Sequence, residues 1–251
     1  MNSTLSIDVS KSWYAQTVEC QVTPKTNGPV STGSHAIWND PSGNAFYIFG
    51  GLVYYGYAKE RGITTDGIWK FTVDGQGGGT WAKQRPSNFD QLETISLTDG
   101  AAYADTSGSS GGIGVSIGGV YNNETDPRQD YAWRWTNTMT VYDMKTKTIS
   151  SYDMSQVIRP TGYLWHGRAQ FVPQFSPNGL IFLLGGKTFP RQLLPGERVQ
   201  VDGTGLHFDN ITFFDPESRR WRWQSARGNI PPDRNSHCLV GVASPAGTYE
   251  M

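Results

Sequence analysis

Four histidines (His35, His166, His207 and His237) and two cysteines (Cys20 and Cys238) are the side chains best suited to hold a transition metal or to act as nucleophiles. Imidazole and thiolate bind zinc or copper when three or four converge, and zinc sites show themselves as close pairs along the chain. The cysteines stand far apart and fit no zinc spacing, so no metal site is expected. Two carboxylate pairs, Asp90 with Glu93 and Glu124 with Asp126, would suit glycoside hydrolysis if held about 5–10 Å apart. Nearness in sequence does not set that separation, and solvated loop charges are the expectation. No nucleophile elbow, phosphate loop or metalloprotease helix occurs. No catalytic residue and no cofactor is assigned, and a non-enzymatic role is expected.

Composition narrows the classes further. The 251 residues are 37% hydrophobic, 13% aromatic and 17% charged, with 30 glycines and a formal charge of −1. Low charge, abundant glycine and ample aromatic core material favour a loop-rich all-β chain. Near-neutral charge gives no electrostatic footprint for nucleic acid. No stretch approaches the roughly 18 apolar residues of a membrane span. Asn2, Asn123 and Asn210 each begin an Asn-x-Thr glycosylation acceptor, which points towards a secreted protein.

The elements that must position any site come from a repeat. An apolar strand runs into a glycine pair three times, at Gly50-Gly51, Gly118-Gly119 and Gly185-Gly186, with separations of 68 and 67 residues. Ahead of each pair lies a strand with a small and then a large residue: Ala36 and Trp38, Ala101 and Tyr103, Ala169 and Phe171, and once more Cys238 and Val240. After each pair a third strand closes on Asp74, Asp143 or Asp215, where the carboxylate can bond the backbone two residues on. A fourth strand follows, marked by Trp81, Ile149 and Trp221. The segment ending at Asp8 and Trp13 supplies the same third and fourth strands without a first half. By this alignment His35 shares a slot with Gly100, Arg168 and His237, and His166 falls two places earlier. Cys238 shares the small-residue slot of Ala36, Ala101 and Ala169, which predicts a buried core role; a disulfide with Cys20 stays open.

Four short strands with a glycine pair after the second make one propeller blade, and such units bury their faces by stacking. The chain resembles the kelch-repeat β-propellers on that pair and on the aromatics after it, Phe214 with Trp221 above all. IWKFTVDGQGGGTW, QFVPQFSPNGLIFLLGG, NITFFDPESRRW and IPPDRNSHCLVGVASPAGTYE resemble the extracellular kelch proteins of filamentous fungi more closely still. That resemblance spans Leu5 to Glu250. It implies an extracellular or cell-surface location and, in longer members, further blades and a membrane anchor. The expected fold is an incomplete propeller: outer strands in residues 1–22, full blades in 33–84, 100–153 and 167–225, and an inner strand in 233–251. A piece of a larger ring is one expectation; a composite fourth blade joining the two ends is the other.

In a four-strand meander the loops after the second strand share one face with the links between blades. Here they are long and unlike one another, which is where recognition concentrates on a repeated scaffold. They carry Tyr54, Tyr55, Tyr57 and Arg61 in the first repeat, Tyr131, Trp133 and Trp135 in the second, and Phe189 and Arg191 in the third. Aromatics and arginine dominate protein contacts, and aromatic faces suit sugars. Trp133 and Trp135 alternate before a strand, so one is expected inside the blade. The function expected is binding of a protein or carbohydrate ligand by this face. The alternative is a propeller enzyme such as a galactose-oxidase-like copper protein, to whose ligand set no residue-by-residue match exists here.

Overall fold

The computed structural model describes residues 3–53, 67–93, 95–106, 112–126, 128–159, 161–197 and 203–251. The chain is all-β, built of antiparallel sheets of two to four strands, and no sheet closes on itself among the described residues. Three sheets have four strands in meander order. The first joins Ala36–Asn39, Ala45–Phe49, Ile68–Val73 and Gly79–Gln84; the second joins Ala102–Asp105, Ile113–Ile117, Thr138–Asp143 and Thr148–Asp153. The third joins Arg168–Val172, Leu180–Leu184, Asn210–Asp215 and Arg220–Ser225. Their first strands run beside one another.

Alternation of side chains gives the second sheet two apolar faces, and stacking on its neighbours buries both. Ala36, Trp38, Tyr47 and Phe49 of the first sheet pack on Tyr103, Tyr142 and Ile149 of the second, with Leu92, Ile95 and Leu97 of the connecting segment closing the edge. The opposite face of the second sheet, with Ala102, Ala104, Val115, Ile117 and Val141, packs on Phe171, Ile181, Leu183 and Phe214 of the third. Trp38 is wholly buried, and its Nε1 donates to the carbonyl of Val115 at 2.9 Å. Its ring lies flat over Gly114, where a Cβ would stand 2.2 Å from the indole. Aromatics of the third and fourth strands meet in register, Phe71 opposite Trp81 and Phe214 opposite Trp221, at 5.0 and 5.3 Å between ring centres.

Each glycine pair bends the chain so that the next two residues pair with the segment ahead of the first strand. Thr32 faces Val53, Asp99 faces Val120, and Leu164 faces Thr188. The second glycine of each pair then donates its N–H into the following repeat: Gly51 to the Thr98 carbonyl at 2.9 Å, Gly119 to Leu164 at 2.7 Å, Gly186 to Arg234 at 2.7 Å. A shared latch fixes the stacking of successive sheets. The exit aspartates also act alike. One carboxylate oxygen of Asp74, Asp143 and Asp215 accepts from the amide two residues on, at 2.8, 3.0 and 3.0 Å.

The structure corrects several expectations. The strand paired with Ser3–Ile7 is Cys20–Pro24, whereas Trp13 lies half exposed in the turn between them. That turn absorbs a dozen residues, so spacing from Asp8 misplaces the strand. This hairpin covers the outer part of the first sheet, where Trp81 Nε1 donates to Thr4 Oγ1 at 3.0 Å. Residues 237–241 form no strand; the C-terminal pairing is Val242–Ala243 with Tyr249–Glu250. The two terminal hairpins are separate sheets, so they make no composite blade. Cys238 is exposed rather than buried, because no sheet stacks over its slot, and Cys20 is an exposed free thiol too.

Positive φ at Ser34, Gly100 and His166 marks equivalent points ahead of the first strands, and Ser236 repeats it ahead of residues 237–241. His35 is therefore equivalent to Ala101, Gly167 and His237, and His166 sits one place before that slot, not two. Cys238 matches Ala36, Ala102 and Arg168 rather than Ala101 and Ala169. Five residues separate the first and second strands in the first repeat and seven in the other two, and the first strand of the third repeat is one residue longer than its counterparts. Counting back from the glycines therefore slips the register.

One buried ion pair yields a pH prediction. Burial opposes charge on Asp40, but Lys70 Nζ at 2.7 Å, the Ser42 hydroxyl and amide, and Tyr47 OH at 3.0 Å more than offset it. The carboxyl is held well below its ordinary 3.8. A carboxyl lowered on folding stabilises the protein above its unfolded value and loses that contribution as pH falls through the folded one. Urea unfolding between about pH 5 and 2 is expected to show a loss of about 1–2 kcal/mol in the wild type that Asp40→Asn lacks. Parallel curves for the two proteins would contradict this.

Candidate functional site

Among the described residues, the loops of the second and third repeats pack together in one layer. Trp135 stacks on Phe189 with ring centres 3.9 Å apart and planes 15° from parallel. Val120 and Leu193 complete this small core, with Trp133, Tyr163 and Trp165 half buried around it. Gln192 fastens the two loops together: its Oε1 accepts from Trp135 N at 2.6 Å and its Nε2 donates to Trp135 O at 2.9 Å. Thr161 Oγ1 donates to the carbonyl of Phe189.

A second clamp holds the 122–130 loop. Asp126 is fully buried, and Arg128 grips it with Nε to Oδ1 at 2.7 Å and Nη2 to Oδ2 at 2.6 Å. Arg128 also donates to the carbonyls of Leu92 and Ile95. A fork of this kind satisfies a buried carboxylate as a point charge would not. Thr125 Oγ1 bridges back to Asn122. The Glu124–Asp126 pair is thus a fastening, with Asp126 already engaged by arginine.

The expected binding residues divide sharply by environment. Trp135 and Phe189, 2% and 1% exposed, form the support. Tyr131, 80% exposed, stands free above it, beside Arg134, which pairs with Asp130 at 2.7 Å. That pairing draws the Asp130 carboxyl down to about 2. Arg191 is exposed and held by Glu197 at 2.7 and 2.8 Å, next to exposed Leu194. Tyr54, Tyr55, Tyr57 and Arg61 lie outside the described residues, as does Asn2. Asn210 is exposed at the start of a strand, and Asn123 is half buried with its Oδ1 unpartnered.

Beneath the layer lies a recess of about 260 Å³ lined by Ser96, Tyr121, Thr136, Tyr163 and Gln192 among others. Burial raises the Tyr121 phenol above its usual value, so it stays a neutral donor. Hydroxyls, a carboxamide and two phenol rings can hydrogen-bond and stack on a polar uncharged group. Neither tyrosine carried a sequence signal, since Tyr121 lies in, and Tyr163 next to, a two-residue strand that only the fold defines.

The histidines do not converge on one point. His166 stacks on Trp165 and bonds Ser236 Oγ through Nδ1 at 2.5 Å; His207 pairs with Asp233 at 2.8 Å. His35 Nδ1 lies 3.2 Å from Thr32 Oγ1, and burial holds its imidazole below 6.5. Among the described residues no three of His, Cys, Asp and Glu are grouped to hold a metal ion. Among the described residues no helix is long and apolar enough to cross a membrane. Compared with known proteins, the chain matches no family model and no curated protein.

Proposed function

We propose that the chain is a non-catalytic interaction module, part of a kelch-type β-propeller from a secreted or cell-surface protein. It binds a protein or carbohydrate ligand through the loops that follow the glycine pairs. The observation that carries this reading is the docked loop layer. Trp135, Phe189 and Gln192 lock two dissimilar loops together and leave Tyr131, Arg191 and Leu194 outside on a fixed base. Pre-ordered loops lose little freedom on binding, and aromatic and arginine side chains supply most of the contact energy at recognition surfaces. The latched sheets beneath are a scaffold that tolerates such variation.

The test is binding of the purified chain to arrayed glycans and displayed cell-surface proteins, repeated with Tyr131→Ala and Arg191→Ala. Each variant is expected to weaken a selected ligand about tenfold, with an unchanged unfolding midpoint. Unchanged binding by both variants would contradict the loop-face assignment. Stoichiometric copper with turnover of an alcohol would replace it by the oxidase alternative.

A further inference from the structure

One slot of the repeat is broken in one repeat only. Ala36, Ala102 and Arg168 each lie opposite the residue just before a glycine pair, namely Phe49, Ile117 and Leu184. Cys238 completes the series, two places after the positive φ of Ser236. Alanine and cysteine show that the backbone there asks only for a small side chain. The third repeat places a guanidinium on it, a choice that the scaffold does not explain.

Arg168 lines a groove of about 680 Å³ between the neighbouring first strands and residues 238–240. Ile37, Tyr103, Phe171 and Val240 give it apolar walls, and Gln170 lies beside the arginine. Asp105, the acidic residue of the lining, accepts from Asn39 N and Nδ2 at 2.9 and 3.1 Å. Arg168 donates Nη1 to the carbonyl of Gly167 at 2.9 Å and has no carboxylate partner among the described residues. Two further cations act on the histidines near it. After burial, the fields of Arg168 and Lys187 lower His166, and those of Arg168 and Arg234 lower His237. Nδ1 of His237 is buried without a hydrogen-bond partner. A guanidinium presents a planar fork of donors that matches a carboxylate, and apolar walls strengthen that pairing.

We propose that this groove binds a small ligand with a carboxylate on an apolar body: Arg168 takes the carboxylate, and the exposed side chains of Val240 and Ile37 take the body. The site is separate from the loop layer and stands or falls apart from it. Calorimetric titration of the 251-residue chain with 3-phenylpropionate, its primary amide and inorganic phosphate tests the assignment. The acid is expected to bind at least about tenfold more tightly than the amide and than phosphate. Arg168→Met is expected to lose about tenfold or more in affinity for the acid without a shift in unfolding midpoint, with Arg168→Gln as the second variant should methionine disturb folding. Tyr131→Ala should leave the acid's affinity unchanged. Equal binding of acid and amide, tighter binding of phosphate, no binding of the acid, or undiminished binding by the Arg168 variants would each overturn the proposal.

Discussion

Gly119→Ala is expected to destabilise the chain by about 4 kcal/mol, at the upper end for a single substitution. Gly119 has φ of +99°, which an L residue with a Cβ adopts only under strain. The added carbon would stand 2.7 Å from the carbonyl oxygen of Asp99 and 2.9 Å from Thr98 Cβ. The first of these is backbone, paired with Val120 and unable to swing away. Relief requires moving the segment ahead of the second sheet, and that movement also pulls the Gly119 amide from Leu164 O. Gly43→Ala makes the control: its φ of +73° is also positive, but a Cβ there meets nothing within 4 Å. Urea unfolding should show Gly43→Ala costing only about 1 kcal/mol. Equal effects at the two sites would show that dihedral strain, not the interlock, sets the cost.

Trp38→Ala is expected to cost about 4 kcal/mol, in the range for removing a buried tryptophan. The ring stacks against Phe49 and Tyr142 at 5.4 and 6.1 Å, so its loss opens the joint between the first two sheets. It also leaves the Val115 carbonyl without its indole donor. Gly114→Ala strikes the same joint from the other side, by overpacking. The two substitutions should couple strongly. Gly114→Ala is expected to lose about 3 kcal/mol in the wild type but much less beside Trp38→Ala, which removes the ring it strikes. Additive losses in the double variant would show that the ring does not rest on Gly114.

Much of this architecture was legible in the sequence. The glycine pairs are required by positive φ and by close backbone approach, a need that only glycine meets. The exit aspartates bond their own turns, a local interaction that the residue type announces. Phe71 with Trp81 and Phe214 with Trp221 meet because strand pairing after a short turn follows from spacing, and the extra glycines before Trp81 are taken up in the turn. The register of the first strands was not legible, because both the strands and the connections between them and the glycines vary in length from repeat to repeat. Arg168 was therefore hidden in the wrong slot, and the alanines of its own slot appear only in the hydrogen-bonded ladder.

The site was legible as a face but not as residues. Tyr131 and Trp135 look alike in sequence, yet one is exposed and the other supports it. The difference arises from Phe189 and Gln192, more than fifty residues away. Tertiary packing of that kind leaves no periodic trace. Trp13 shows the opposite case, an aromatic at the expected spacing that lies in a long turn while Cys20–Pro24 takes the strand.

Amide hydrogen exchange at Gly51, Gly119 and Gly186 tests most directly whether one repeated latch holds the sheets that carry the loop layer. All three amides are expected to exchange slowly, at rates near that of global unfolding, although each lies in a loop after a strand. Exchange of Gly119 or Gly51 as fast as that of an exposed bend such as Gly228 would contradict the latch, and with it the fixed scaffold on which the recognition face depends.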